Sequence, residues 1–109
     1  MRNVGIDIVE NARIKKAMSD AFVRKILSDE ERERYEGFKE GRKIEFLSGR
    51  FAAKEAIIKC LSGIEVPELS DLNIQNDENG RPFIEYKDYE IVLSISHERN
   101  YSVAIAILN

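Results

Sequence analysis

One cysteine, one histidine, two prolines and no apolar run of membrane-spanning length are found in this 109-residue chain, and each scarcity excludes something. A lone Cys60 forms no internal disulfide, and inside an apolar helical pattern it reads as a core thiol rather than a nucleophile. With one histidine beside it, neither redox chemistry nor a structural zinc site has support. No stretch approaches the roughly 20 apolar residues that a bilayer demands, and MRNVGIDIVE enters strand alternation instead of a signal-peptide core. A soluble, cytoplasmic protein is expected. No linker, repeat or low-complexity tract divides the chain, so residues 1–109 read as one domain.

The net charge of -3 argues against general nucleic-acid binding. The charge is uneven, however: Arg13, Lys15, Lys16, Arg24 and Lys25 face only Asp20 between Asn11 and Lys25. Such a segment is either a solvated helix face or a dock for an acidic protein. At 43% hydrophobic content a chain this short buries a core yet leaves apolar area outside. Self-association is therefore plausible on size alone.

Val4, Ile6 and Ile8 alternate with Gly5, Asp7 and Val9, which predicts a strand whose isoleucine face is buried and whose Asp7 points the other way, beside Gly5. Asn11 is expected to cap a short helix carrying Arg13, and a second helical segment passes through Phe22, Ile26 and Leu27. Ser28 and Glu31 match a capping box. A long helix follows Gly41, runs to about Leu61 and stops at Ser62 and Gly63. Period-two patterning then appears at Leu72–Ile74, Phe83–Tyr86, Ile91–Ser96 and Tyr101–Leu108, with turns at Asp77–Gly80 and Glu98–Asn100. The fold class is α+β: a mainly antiparallel sheet packed on a long central helix.

That helix carries the most informative residues. Leu47, Phe51, Ile58 and Leu61 form an apolar stripe in which Lys54 lies, so Lys54 requires a buried partner. Glu55 and Lys59, four apart, share a neighbouring face with Ala52 and Ser48, leaving room for a close approach. A carboxylate and an ammonium beside small residues suit a metal ion and a phosphate. The same spacing also occurs as ordinary surface support worth about 0.2 to 0.5 kcal/mol. Asp7 at a strand-to-helix junction, and Ser96 with His97 at a strand end, are further polar groups the fold does not demand; a lone histidine there also suits a purely structural role.

GIDIVE with Arg13, then FLSGRFAAKEAIIK, NGRPF and SISHERNYSVAIA, in that order, resemble the motifs of the holo-(acyl-carrier-protein) synthases, the small bacterial 4'-phosphopantetheinyl transferases. The resemblance covers nearly the whole chain. It implies the 4'-phosphopantetheinyl transferase fold, and transfer of the phosphopantetheine arm of coenzyme A to a serine of apo acyl carrier protein. Adenosine 3',5'-bisphosphate is released, Mg2+ is required, and the setting is fatty-acid biosynthesis. By the same resemblance Asp7 and Glu55 are the metal carboxylates, consistent with the one or two carboxylates that Mg2+ typically takes from a protein. Lys59 is the ammonium beside the diphosphate, and Glu55, or a metal-bound water that it orients, accepts the serine proton. Arg50, Ser96, His97 and the Gly80, Arg81, Pro82 turn correspond to positions around the nucleotide end of coenzyme A, and Arg13 to the helix that receives the carrier protein. The resemblance also implies a homotrimer whose sites are shared between neighbours, with Asp7, Glu55 and Lys59 from one subunit and some nucleotide contacts from the next. Two departures stand out: the 62–68 loop carries less glycine than the family's usual form, and Glu98 adds an anion directly after His97. A diphosphate hydrolase with the same carboxylates, and a binding module without chemistry, are the competing readings.

Overall fold

A computed structural model describes residues 1–109. Strand β1 (Asn3–Glu10) leads into three short helices, α1 (Asn11–Ala17), α2 (Asp20–Ile26) and α3 (Asp29–Glu36). The long helix α4 (Glu40–Cys60) follows, then a short 3-10 turn, the small hairpin β2 (Ile74–Asn76) and β3 (Pro82–Ile84), and the hairpin β4 (Ile91–His97) and β5 (Tyr101–Leu108). β5 lies between β1 and β4, antiparallel to both. The α+β expectation is met, with α4 lying across the three-stranded sheet. No helix is long and apolar enough to cross a membrane.

Local chemistry accounts for the boundaries. The Ser19 hydroxyl accepts from the Phe22 amide at 3.1 Å and starts α2. The Ser28–Glu31 capping box forms as expected, both reciprocal bonds being present. Asp77 closes the β2–β3 turn by accepting from the amides of Asn79 and Arg81, both at 2.9 Å, and Gly80 takes the positive φ of 83° that the turn requires. The strand expected over Phe83–Tyr86 is shorter, because Tyr86 leaves the ladder to form a bridge with Tyr89.

Helix α4 meets the sheet through small side chains. Ala52 and Ala56 are fully buried on its inner side, and Ala104 and Ala106 of β5 are buried opposite. Gly5 brings β1 closer still, since a Cβ there would lie 2.0 Å from the carbonyl oxygen of Ala56. This contact overturns one expectation. The inward face of β1 is Gly5, Asp7 and Val9, while Val4, Ile6 and Ile8 are 43%, 60% and 64% exposed. Alternation identified two faces correctly, but backbone contact with the helix selected the face with no side chain at Gly5 over the larger apolar one. The exposed trio joins Val103, Ile105 and Ile107 of β5 and Val92 of β4 on the outer sheet surface.

Asn11 also differs from expectation. It does not cap α1, whose first-turn boundary has no side-chain cap. Instead it is buried, donates to the carbonyls of Glu98 and Arg99 at 3.1 and 3.2 Å, and accepts from Ser102 Oγ at 2.8 Å. The β4–β5 turn is thereby tied to the end of β1. Glu98 points into that same turn, accepting from the amides of Asn100 and Tyr101 at 2.7 and 2.8 Å.

Lys54 has the partner its position required. It is fully buried, donates to the Ile26 carbonyl at 2.7 Å and pairs with Glu31, itself 1% exposed. Burial pushes the Lys54 ammonium down, and Glu31 works against that shift. A buried pair of this kind is weak support for net stability, yet removing one partner leaves an uncompensated charge at a cost of about 3–5 kcal/mol.

Candidate functional site

The close approach at Gly5 places Asp7, two residues along the same face of β1, over the Glu55–Lys59 face of α4. Lys59 Nζ lies 3.2 Å from Asp7 Oδ1 and donates to the Ile6 carbonyl at 2.8 Å. Two of its three N–H groups are thus spent, and one remains for a ligand. Glu55 is half-buried. Its carboxyl is pushed up by burial first and by the neighbouring Asp7 charge second, while Lys59 draws it down. Three chemistry-bearing residues from two distant stretches of sequence therefore share one surface.

Asp7 and Glu55 offer oxygen ligands, and the Asp7 charge disfavours ionisation of Glu55, an arrangement that a divalent cation relieves. No group of three or more His, Cys, Asp or Glu side chains is arranged to hold a metal ion by itself. The donor set fits Mg2+, which keeps several waters and accepts only one or two protein carboxylates together with substrate phosphates.

A second cluster lies elsewhere. Arg50, Gly80, Pro82 and His97 line one cleft of about 150 Å3, with Arg42, Glu45, Gly49 and Asn76 as further walls. Arg50 is 6% exposed, and its guanidinium rests 4.4 Å from the Phe46 ring centre and donates through Nη2 to the Ile74 carbonyl at 3.1 Å and to Asn76 Oδ1 at 2.7 Å. Burial lowers its pKa to about 10, with Glu31 opposing, so it stays charged at neutral pH. His97 Nδ1 lies 3.7 Å from Glu45 Oε2.

Arg81 sits exposed in the β2–β3 turn, outside the cleft wall. Ser96 is on the outer sheet face beside Val103, one strand position from His97 and so on the opposite side of the sheet. Arg13 is exposed on α1, whose last turn adds Lys15 and Lys16. Sequence reasoning missed Glu31, Glu45 and Asn76 as partners of the cleft residues. For Glu45 a signal exists, because Arg42, Glu45 and Gly49 follow the i, i+3, i+7 spacing of one helix face. For Asn76 none does, because its role arises across a hairpin.

The two clusters have no residue in common. Residues 50 and 55 are about 140° apart around a helix, and residues 50 and 59 about 180° apart. Arg50 and Lys59 thus leave opposite sides of α4.

Comparison with known proteins adds the family context. Residues 3–106 match the model of the 4'-phosphopantetheinyl transferase superfamily. A holo-(acyl-carrier-protein) synthase of Staphylococcus haemolyticus is 41% identical over 114 residues, covering 99% of this chain and 96% of that protein. One from Anoxybacillus flavithermus is 44% identical over 112 residues, covering 96% and 92%. Among solved structures, the Bacillus anthracis holo-(acyl-carrier-protein) synthase in complex with CoA (3',5'-ADP) superposes with a TM-score of 0.91 at 39% identity, covering 98% of this chain and 95% of that one. The Helicobacter pylori enzyme in complex with coenzyme A gives 0.83 at 28% identity, covering 97% and 99%.

Proposed function

Because the chain belongs to the 4'-phosphopantetheinyl transferase superfamily, among its holo-(acyl-carrier-protein) synthases, we propose that it transfers 4'-phosphopantetheine from coenzyme A to a serine of apo acyl carrier protein. In this reading the reaction depends on Mg2+, releases adenosine 3',5'-bisphosphate and matures the carrier of fatty-acid biosynthesis. Cytoplasmic residence belongs to the same proposal. The observation that carries it is the convergence of Asp7, Glu55 and Lys59 across the Gly5 contact.

The serine oxygen attacks the β-phosphorus and forms the new P–O bond. The bond from that phosphorus to the bridging oxygen breaks, and the nucleotide leaves with the electron pair. Asp7 and Glu55 would hold Mg2+, whose charge polarises the diphosphate. The unspent N–H of Lys59 donates to a phosphoryl oxygen, an interaction that strengthens as charge moves onto the leaving side. Glu55 accepts the serine proton directly or through water. Arg50, His97 and the Gly80, Arg81, Pro82 turn bind the nucleotide end, with Ser96 contributing from the sheet face, and Arg13 receives the acidic carrier protein.

The separation of the two clusters around α4 supports sites shared between copies, and the exposed Val4, Ile6, Ile8 surface supports a homotrimer that covers it. In such an assembly the nucleotide cleft of one copy completes the carboxylate cluster of another. Incubation with apo carrier protein, coenzyme A and Mg2+, followed by intact-mass measurement of the carrier, tests the reading. Gain of one phosphopantetheine supports transfer, whereas loss of coenzyme A with an unchanged carrier replaces it with diphosphate hydrolysis.

A further inference from the structure

The Arg50 guanidinium is hydrogen-bonded through Nη2, ion-paired at Nε and unpartnered at Nη1. Nη2 is spent on the Ile74 carbonyl and Asn76 Oδ1, at 3.1 and 2.7 Å. Nε faces Glu31 Oε2 at 3.4 Å, an ion pair too poorly aligned to be a hydrogen bond, which leaves that buried N–H without an acceptor. Phe46 supports the plane from one face. Nη1 has no partner in the chain, and the residue lines the cleft with His97 and Pro82. Glu31 is itself immobilised: its Oε1 accepts from the Ser28 amide and from Lys54, and its Oε2 accepts from the Ile74 amide at 3.0 Å. Asn76 is fixed in turn by donating to the Gly80 carbonyl at 3.0 Å and by accepting from Arg34 Nη1 at 2.8 Å. A capping-box glutamate, buried in the core, thus reaches the wall of the cleft through one arginine.

We propose that Glu31 and Asn76 are positioning residues for nucleotide recognition, acting through Arg50 by fixing its guanidinium so that the Nη1 edge points into the cleft. The inference rests on the reading that this cleft takes the nucleotide end of coenzyme A. A flexible arginine loses rotamer freedom each time it grips a phosphate, whereas a pre-held fork loses little and keeps its bidentate geometry. Glu31 supplies the charge balance that lets the guanidinium stay buried and ionised, and Asn76 couples its orientation to the Gly80 turn. Neither residue touches the Asp7, Glu55 and Lys59 cluster, so their effect falls on binding and not on the chemical step.

Three variants test this role. Asn76→Ala removes one of the two acceptors of Nη2 from a half-buried hairpin position. Glu31→Gln combined with Lys54→Met removes both members of the core pair, so that Arg50 is the one charge that loses its partner. Arg50→Ala is the reference. Each is measured for affinity toward adenosine 3',5'-bisphosphate by calorimetry and for KM and kcat with coenzyme A, with circular dichroism to verify folding. The expected result is about tenfold weaker nucleotide binding and a matching rise in KM for Asn76→Ala and the double variant, with kcat within about twofold of the parent. Unchanged affinity in the folded variants, alongside a clear loss in Arg50→Ala, overturns the positioning role alone. Unchanged affinity in Arg50→Ala removes the nucleotide assignment of the cleft and this inference with it. A fall in kcat at constant KM also overturns the proposal. If the double variant does not fold, Asn76→Ala alone upholds or overturns the role by the same two readouts.

Discussion

Gly5 and Ala56 meet backbone to backbone: any Cβ on Gly5 would lie 2.0 Å from the Ala56 carbonyl oxygen and 2.9 Å from the Cys60 amide nitrogen. Because both obstacles are main chain, α4 or β1 must move to admit a methyl group. Gly5→Ala is expected to destabilise the fold by about 1–3 kcal/mol or more, and to separate Asp7 from Lys59 so that transfer is lost even in the folded fraction. Urea denaturation with a parallel transfer assay checks both effects. Parent-like stability would mean that the strand and helix do not pack as described.

Asp7→Ala and Glu55→Gln are each expected to abolish transfer with folding preserved, and near-normal turnover in either would refute the carboxylate assignment. Glu55 also predicts a pH signature. Its carboxyl is raised on folding from a reference of 4.5, so the folded state holds the proton more tightly than the unfolded one. Metal-free stability should therefore fall as pH rises from about 4.5 through the raised value and stay level above it. Glu55→Gln should lack this descent. Melting temperatures in chelator across that range measure it, and added Mg2+ should raise the parent's melting temperature at pH 7 while leaving Glu55→Gln unmoved.

Ile6 is 60% exposed at the centre of the apolar sheet face, paired with Ile105. If copies cover this face, Ile6→Asp buries a lone charge in the interface and disfavours assembly. Light scattering should then report a monomer in place of the proposed trimer, and transfer should fall with it if sites are shared between copies. A trimer in both proteins would direct attention to another surface.

Arg13→Ala should raise KM for the carrier protein and leave KM for coenzyme A unchanged, with a larger effect at low salt than at high. A loss that ignores ionic strength would indicate a packing role instead.

Glu65 fastens the loop after α4. It accepts from Tyr89 Oη at 2.6 Å, Tyr86 Oη at 2.8 Å and Lys87 Nζ at 2.9 Å, and these bonds, that of Tyr89 foremost, bring its pKa from 4.5 to about 2. For a depressed carboxyl the contribution is full above about pH 4.5 and is lost as pH falls toward 2. Glu65→Gln should flatten that acid limb in a thermal-melt series. An unchanged acid limb would show that the loop is held by other contacts.

Much of the site is legible in the sequence because its signals are local. The Ser28–Glu31 box, the Asp77–Gly80 turn and the Glu55–Lys59 spacing each operate within one helical turn or one hairpin, where residue type and interval decide the outcome. Lys54 is identifiable as needing a partner, since a charge inside an apolar stripe has no alternative, but Glu31 as that partner lies 23 positions away and answers to no sequence period. Ser96 and His97, adjacent in sequence, read as one polar cluster, yet the pleat sends them to opposite faces of the sheet.

The amino-acid order alone determined the element types, the capped helix starts and the presence of two faces on β1, because these follow from backbone sterics and from apolar periods of 2 and 3.6. Which β1 face turned inward was decided only in three dimensions. The helix could approach the sheet most closely over Gly5, and that contact brought Asp7 to Lys59 while leaving three branched apolar side chains outside. That Arg50 and Lys59 leave opposite sides of one helix follows from the fixed 100° step between its residues, whereas the partners each one meets, Ile74 and Asn76 for Arg50 and Asp7 and Ile6 for Lys59, were decided by the tertiary fold.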